Sequence, residues 1–133
     1  MNQLKGHIDS VTTSGNLSLA RIRVGRFLLS AVVIDTPESC AYLQERAEVQ
    51  AVFKETEVVL GNQDLQGISL QNRLPGLVAA IEKGTLLSRV VLKTEVGEIA
   101  SVVTSAAIGQ LGLEVGSNAT ALIKTNEIML SAC

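Results

Sequence analysis

Where the second half of the chain passes from a strand into a helix, Val103-Thr104-Ser105-Ala106-Ala107 sets two hydroxyls and a run of small side chains at the helix start. Free N–H groups at the positive end of a helix favour an oxyanion, which makes Thr104, Ser105 and Ala107 candidate anion contacts. Ser69, Gln71 and Asn72 offer a hydroxyl and two amides further upstream. Lys124, and Lys54 at the equivalent place in the first half, end strands and supply positive charge. Hydrogen bonds to a charged group contribute about 1.5–3 kcal/mol each, so a handful of such donors holds a small dianion. The first half reads Ile34-Asp35-Thr36-Pro37-Glu38 at the matching helix start. There two carboxylates repel an anion and proline removes a donor. The bland alternative is that Thr104 merely caps its helix and that the lysines are ordinary solvated charges.

No catalytic constellation accompanies these groups. His7 is the single histidine and sits inside an expected strand, with no acid or nucleophile tied to it. The acids are scattered and show no paired spacing for proton transfer. No glycine-rich phosphate loop is present. The chain is therefore expected not to be an enzyme and to carry no covalent cofactor and no directly ligated metal. Cys40 and Cys133 lie far apart and form no ligand spacing, which fits reduced thiols in a cytoplasmic protein.

A net charge of −2 argues against a nucleic-acid partner, which needs clustered Lys and Arg. There is no charged-then-apolar leader and no apolar run of about 18 residues, so neither export nor a membrane span is expected. Hydrophobic residues make up 47% of the chain, yet Trp is absent, Phe occurs twice and Tyr once. The core must be built from Val, Ile, Leu and Ala.

The elements that position the candidate donors are written twice. Sliding the chain by 70 residues lays Asn2, Leu4 and Gly6 on Asn72, Leu74 and Gly76. The same slide lays Leu43 on Leu113, Ala51 on Ala121, Lys54 on Lys124 and Leu60 on Leu130. The match weakens between about 12 and 28, where a turn of different length is expected. Each half reads as three strands, a short helix and two strands. In the first half Thr36-Pro37-Glu38 signals the helix start, and Val58 to Leu60 is expected to close the unit. The second half has glycine at 112 and 116 where the first has Tyr42 and Arg46, so the first turn is expected to be built differently. The fold class is all-β with short helices: tandem OB-like five-stranded barrels, each with one short helix between strands 3 and 4. The modules are expected at 1–62 and 68–133, joined by the polar connector Gly61–Gly67.

Ile68-Ser69-Leu70-Gln71-Asn72-Arg73-Leu74-Pro75-Gly76 resembles the Ile-Ser-Ala-Arg-Asn-x-Leu-x-Gly opening of Mop (TOBE-type) molybdate-binding modules. Val102-Val103-Thr104, Leu111-Gly112-Leu113-x-x-Gly116 and Ala121-Leu122-Ile123-Lys124 resemble later blocks of that family. The likeness spans nearly the whole chain as a tandem. It implies OB-like barrels that bind molybdate or tungstate between packed modules, usually at subunit interfaces. Ser69, Thr104, Lys124 and Lys54 fall on the family's ligand-contacting positions, while Gln71 stands where the family has arginine. The first half lacks the Ser-Ala-Arg before Asn2 and has Ile34 in place of threonine.

The expected function is cytoplasmic oxyanion storage or homeostasis in a homo-oligomer, at sites made by second copies from different chains. Two alternatives stand beside it. One is the ligand-sensing module of a molybdate-responsive transcription regulator, and no helix-turn-helix precedes Met1, so DNA binding is not expected of this chain. The other is a structural oligomerisation module that has lost its ligand.

Overall fold

The computed structural model describes residues 1–62 and 67–132. In the first half these form β1 (Asn2–Ser14), β2 (Leu17–Val24), β3 (Phe27–Val33), β4 (Glu48–Phe53) and β5 (Val58–Gly61). In the second half they form β6 (Asn72–Glu82), β7 (Leu87–Thr94), β8 (Gly97–Thr104), the helix α1 (Ser105–Leu111), β9 (Asn118–Ile123) and β10 (Met129–Ala132). Short 3-10 turns, Glu55–Glu57 and Thr125–Glu127, follow β4 and β9. The expected connector lies partly outside the described residues, at 63–66, as does Cys133.

Period-2 alternation sets which face each strand buries. Leu4 and Ile8 on β1, Ala20, Ile22 and Val24 on β2, and Val49, Ala51 and Phe53 on β4 all point into one core. Each large apolar side chain buried there contributes about 1.5–3 kcal/mol relative to exposure. The cluster continues without a break through Leu74, Val90, Leu92, Ile99 and Ile123 of the second half. The two sheets are ordered β10-β4-β1-β2-β3 and β5-β9-β6-β7-β8, with every pairing antiparallel. Each curls until its outer strands meet, β10 against β3 and β5 against β8, as the tandem OB-like reading requires.

The closing strands are exchanged between the halves. Val58 to Leu60 is expected to close the first barrel; instead Val58 pairs with Ile123 and Leu60 with Ala121 in the second. Met129–Ala132 in turn pairs with Val52 to Val49 in the first. The physical cause is the link before each strand. A tight hairpin needs residues at positive φ, whereas Lys54 and Val58 are both extended around a single 3-10 turn. The chain is therefore carried onward into the neighbouring sheet.

The repeat holds its 70-residue offset through the stretch where the residue match weakens. Ile8 pairs with Ile22 as Val78 pairs with Leu92, and Ala20 pairs with Ala31 as Val90 pairs with Ser101. The expected difference in turn length is present, two residues between β1 and β2 against four between β6 and β7, and the offset survives it because β6 ends two residues earlier in the repeat than β1. Both long strands carry a bulge at the same place, between Ile8 and Ser10 and between Val78 and Ala80. The strands bend there, pairing first with β4 or β9 and then with β2 or β7. Gly6 and Gly76 permit the close crossing, since a Cβ on either would stand 2.5 Å from the Arg23 carbonyl oxygen or 2.7 Å from that of Lys93.

The first half has no helix between its third and fourth strands, which corrects the expectation of one in each barrel. Thr36 does cap a turn, with the Cys40 N–H donating to its carbonyl at 2.9 Å, but residues 37–47 continue as separate turns. Helix initiation is costly, and Ser39, Cys40 and Tyr42 extend a nucleus poorly beside Ala106, Ala107 and Leu111 of α1. At Tyr42 the backbone differs from that at Gly112, as expected, since Gly112 takes φ 64° and Arg46 alone among the described non-glycine residues has a positive φ. Arg46 itself supplies a second correction, because it matches its counterpart. It takes φ 69° where Gly116 takes φ 94°. The Arg46 N–H donates to Ile8 O and the Gly116 N–H to Val78 O, each at 2.8 Å.

Candidate functional site

The predicted donors separate into two groups at opposite ends of β6. Ser69 and Gln71 are exposed just ahead of that strand. Asn72 pairs with Ile123, so Gln71 and Lys124 lie side by side immediately beyond the paired ladder. Lys124 is exposed and keeps an extended backbone, which continues the alternation of β9. Gln71, Arg73, Leu122 and Lys124 consequently share the outer face of the second sheet.

Asn72 does not belong to that face. It is fully buried, its Nδ2 donating to Ser30 O at 2.9 Å and Ile123 O at 3.0 Å, while its Oδ1 accepts from the Ser30 N–H at 2.6 Å. Its counterpart Asn2 donates from Nδ2 to Ala100 O and accepts at Oδ1 from the Ala100 N–H, both at 2.8 Å. These amides bolt each barrel to the third strand of the other. The sequence placed Asn72 among the anion contacts; the structure spends its side chain on the barrel junction.

Thr104 pairs with Leu87, at the far end of the second sheet from Lys124. Its Oγ1 accepts the Ala107 N–H at 3.2 Å, so the cap reading holds for that pair. Ser105 is also committed. Its N–H donates to Leu86 O at 2.8 Å and its hydroxyl donates to Gly84 O at 2.7 Å. Ser88 lies 2.7 Å from the same hydroxyl oxygen, which completes a local ring of bonds with Gly84. What this helix start retains for a ligand is the Thr104 hydroxyl proton and the Ala106 N–H.

The two ends of the pseudo-symmetric pair differ in charge. Beside Asn2, Arg89 donates to both Glu55 carboxylate oxygens, at 2.8 and 3.3 Å, and the Met1 ammonium lies 3.6 Å from Glu55. The Arg89 hydrogen bond, its charge and the nearby amino terminus hold the Glu55 carboxyl below the ordinary glutamate range. Glu98 lines the same polar cavity of about 360 Å³. Seventy residues away in the repeat, Glu55 corresponds to Thr125 and Glu98 to Leu28. The Asn72 end thus has no acids at those positions. Lys54, exposed beyond Phe53, belongs to the end that carries the acids.

Sequence reasoning passed over Arg73, whose Nε donates to Leu70 O and whose Nη2 donates to Ile68 O, both at 3.0 Å. Its spacing of two from Gln71 on one strand was the available signal. His7 is exposed, between Lys5 and Glu48 of a shallow cleft. Among the described residues no group of three or more His, Cys, Asp or Glu side chains could hold a metal ion, and no helix is long and apolar enough to cross a membrane.

The TOBE domain family matches residues 68–130. Molybdenum-pterin-binding protein 3 of Clostridium pasteurianum is 36% identical over 66 residues, covering 49% of this chain and 97% of that protein. The molybdenum transport protein ModE of Herbaspirillum seropedicae is 30% identical over 134 residues, covering 98% of this chain but 49% of ModE. A crystal structure of the cytoplasmic molybdate-binding protein ModG with molybdate bound superposes with a TM-score of 0.92 at 33% identity, covering 99% of this chain and 96% of that one.

Proposed function

The chain belongs to the TOBE-type Mop family of molybdenum-binding modules, carrying the module twice, and we propose on that premise that it binds molybdate or tungstate as a storage or homeostasis protein of the cytoplasm. The proposed chemistry is hydrogen bonding to an intact oxyanion, without catalysis and without a covalent cofactor. One observation carries the reading to a particular place. The Asn72 end presents Ser69, Gln71 and Lys124 without acids at the positions where the Asn2 end holds Glu55 and Glu98. Anion binding follows the end that lacks the carboxylates.

The donors of a full cage lie at two ends of one sheet, with Thr104 and the Ala106 N–H remote in register from Lys124. We therefore place the complete site between second halves, 68–133, of different chains in a homo-oligomer. The first half, 1–62, serves as the scaffold. A second reading, the ligand-sensing module of a longer molybdate-responsive regulator, is favoured by the match of nearly this entire chain to half of ModE.

Isothermal titration with molybdate, with sulfate as control, tests the proposal. Tight binding of molybdate alone, at a simple fraction of a site per chain, is the expected outcome. Neither heat nor thermal stabilisation with either anion would leave a structural module that has lost its ligand.

A further inference from the structure

The segment Ile68–Gln71, ahead of β6, has no regular secondary structure, and Ser69 within it is exposed. Such a segment would ordinarily have to be ordered when a ligand arrives, at a cost to affinity. Here the Arg73 guanidinium reaches back and donates to the carbonyls on both sides of Ser69, those of Ile68 and Leu70. Leu122, directly opposite Arg73, is only 1% exposed, so this part of the outer face is covered. Gln71 and Lys124 lie next along the same face. The corresponding residue of the first half is Gln3, which has no guanidinium to make such a fork.

We infer that Arg73 is the positioning residue for the anion site: by fixing the backbone on either side of Ser69 it sets the Ser69 hydroxyl and the Gln71 amide as preformed donors beside Lys124. This rests on the oxyanion-binding reading above. It also accounts for an uncharged Gln71, since the fork that orders the motif comes from the strand face two residues on. A lysine at 73 keeps the charge but cannot span two carbonyls in one plane.

The test is hydrogen exchange together with molybdate titration of the full chain as wild type, Arg73→Lys and Lys124→Ala. In Arg73→Lys without ligand, the amides of residues 69–71 should exchange about tenfold faster. Molybdate should bind about tenfold more weakly, with an unchanged slope of log affinity against log salt because the charge is unchanged. Wild-type affinity and exchange in Arg73→Lys, with binding lost in Lys124→Ala, would overturn the positioning role and leave the oxyanion site standing. Weakened binding in Arg73→Lys with wild-type exchange at residues 69–71 would make Arg73 a direct contact and overturn the inference in another way. If molybdate neither binds the wild type nor protects residues 69–71, the inference and the function it rests on fall together.

Discussion

Replacing Asn72 by alanine tests whether this residue joins barrels or holds a ligand. The change removes three buried hydrogen bonds, to the Ser30 N–H, Ser30 O and Ile123 O. At about 1 kcal/mol net for each bond, the expected loss is about 3 kcal/mol, and groups left unsatisfied in a dry junction push it upward. Asn2→Ala removes two equivalent bonds, both to Ala100, and should cost about 2 kcal/mol. Asn72→Asp is the sharper probe. One carboxylate oxygen still accepts from the Ser30 N–H, while the other faces two carbonyl oxygens, so at neutral pH it should destabilise more than alanine does. Urea unfolding of the three variants, read as midpoints at constant slope, ranks them. A loss below about 0.5 kcal/mol for Asn72→Ala, or a greater loss at Asn2, would refute the bolt argument.

Arg46→Gly should stabilise the protein by about 1 kcal/mol, because it relieves a left-handed arginine at φ 69° in a turn where the repeat uses glycine; thermal unfolding checks it. Tyr42 donates its hydroxyl proton to Leu130 O at 3.0 Å, and interaction with the Cys40 thiol, burial and nearby negative charge raise it from 10.0 to about 12. Its contribution is complete below pH 10.0 and fades as pH rises through about 12. Tyr42→Phe should flatten that alkaline loss and speed amide exchange in β10 more than in β5. Glu55 is shifted the other way, held down first by its hydrogen bond with Arg89. Its stabilisation is present above the ordinary glutamate value and is lost as pH falls through the lowered one, so Glu55→Gln should reduce the acid-side slope of stability.

The duplication was legible because a barrel strand must alternate, and positions such as Leu43 and Leu113 or Ala51 and Ala121 recur at one spacing. The exchange of β5 and β10 was not legible. Alternation says which face of Val58–Gly61 is buried, but nothing in it says against which sheet. Thr36-Pro37-Glu38 carries authentic start signals, yet starting a helix and sustaining one are separate demands, and the residues that follow meet only the first. At the site, Ser69, Gln71 and Lys124 are exposed near one end of β6, and their part in binding stays a proposal. Asn72 misled because an amide in a binding motif and an amide in a buried junction look identical until its partners, Ser30 and Ile123, are brought up by the fold. Arg73 escaped notice because its spacing of two from Gln71 marks only a shared face, while its partners are the backbone carbonyls of Ile68 and Leu70.

The most direct measurement of the central claim is the molybdate affinity of Lys124→Ala beside that of Lys54→Ala. An anion site at the Asn72 end predicts a loss of tenfold to about a hundredfold for Lys124→Ala, the worth of one charged hydrogen bond, and little change for Lys54→Ala. Equal losses, or a greater one at Lys54, would contradict it.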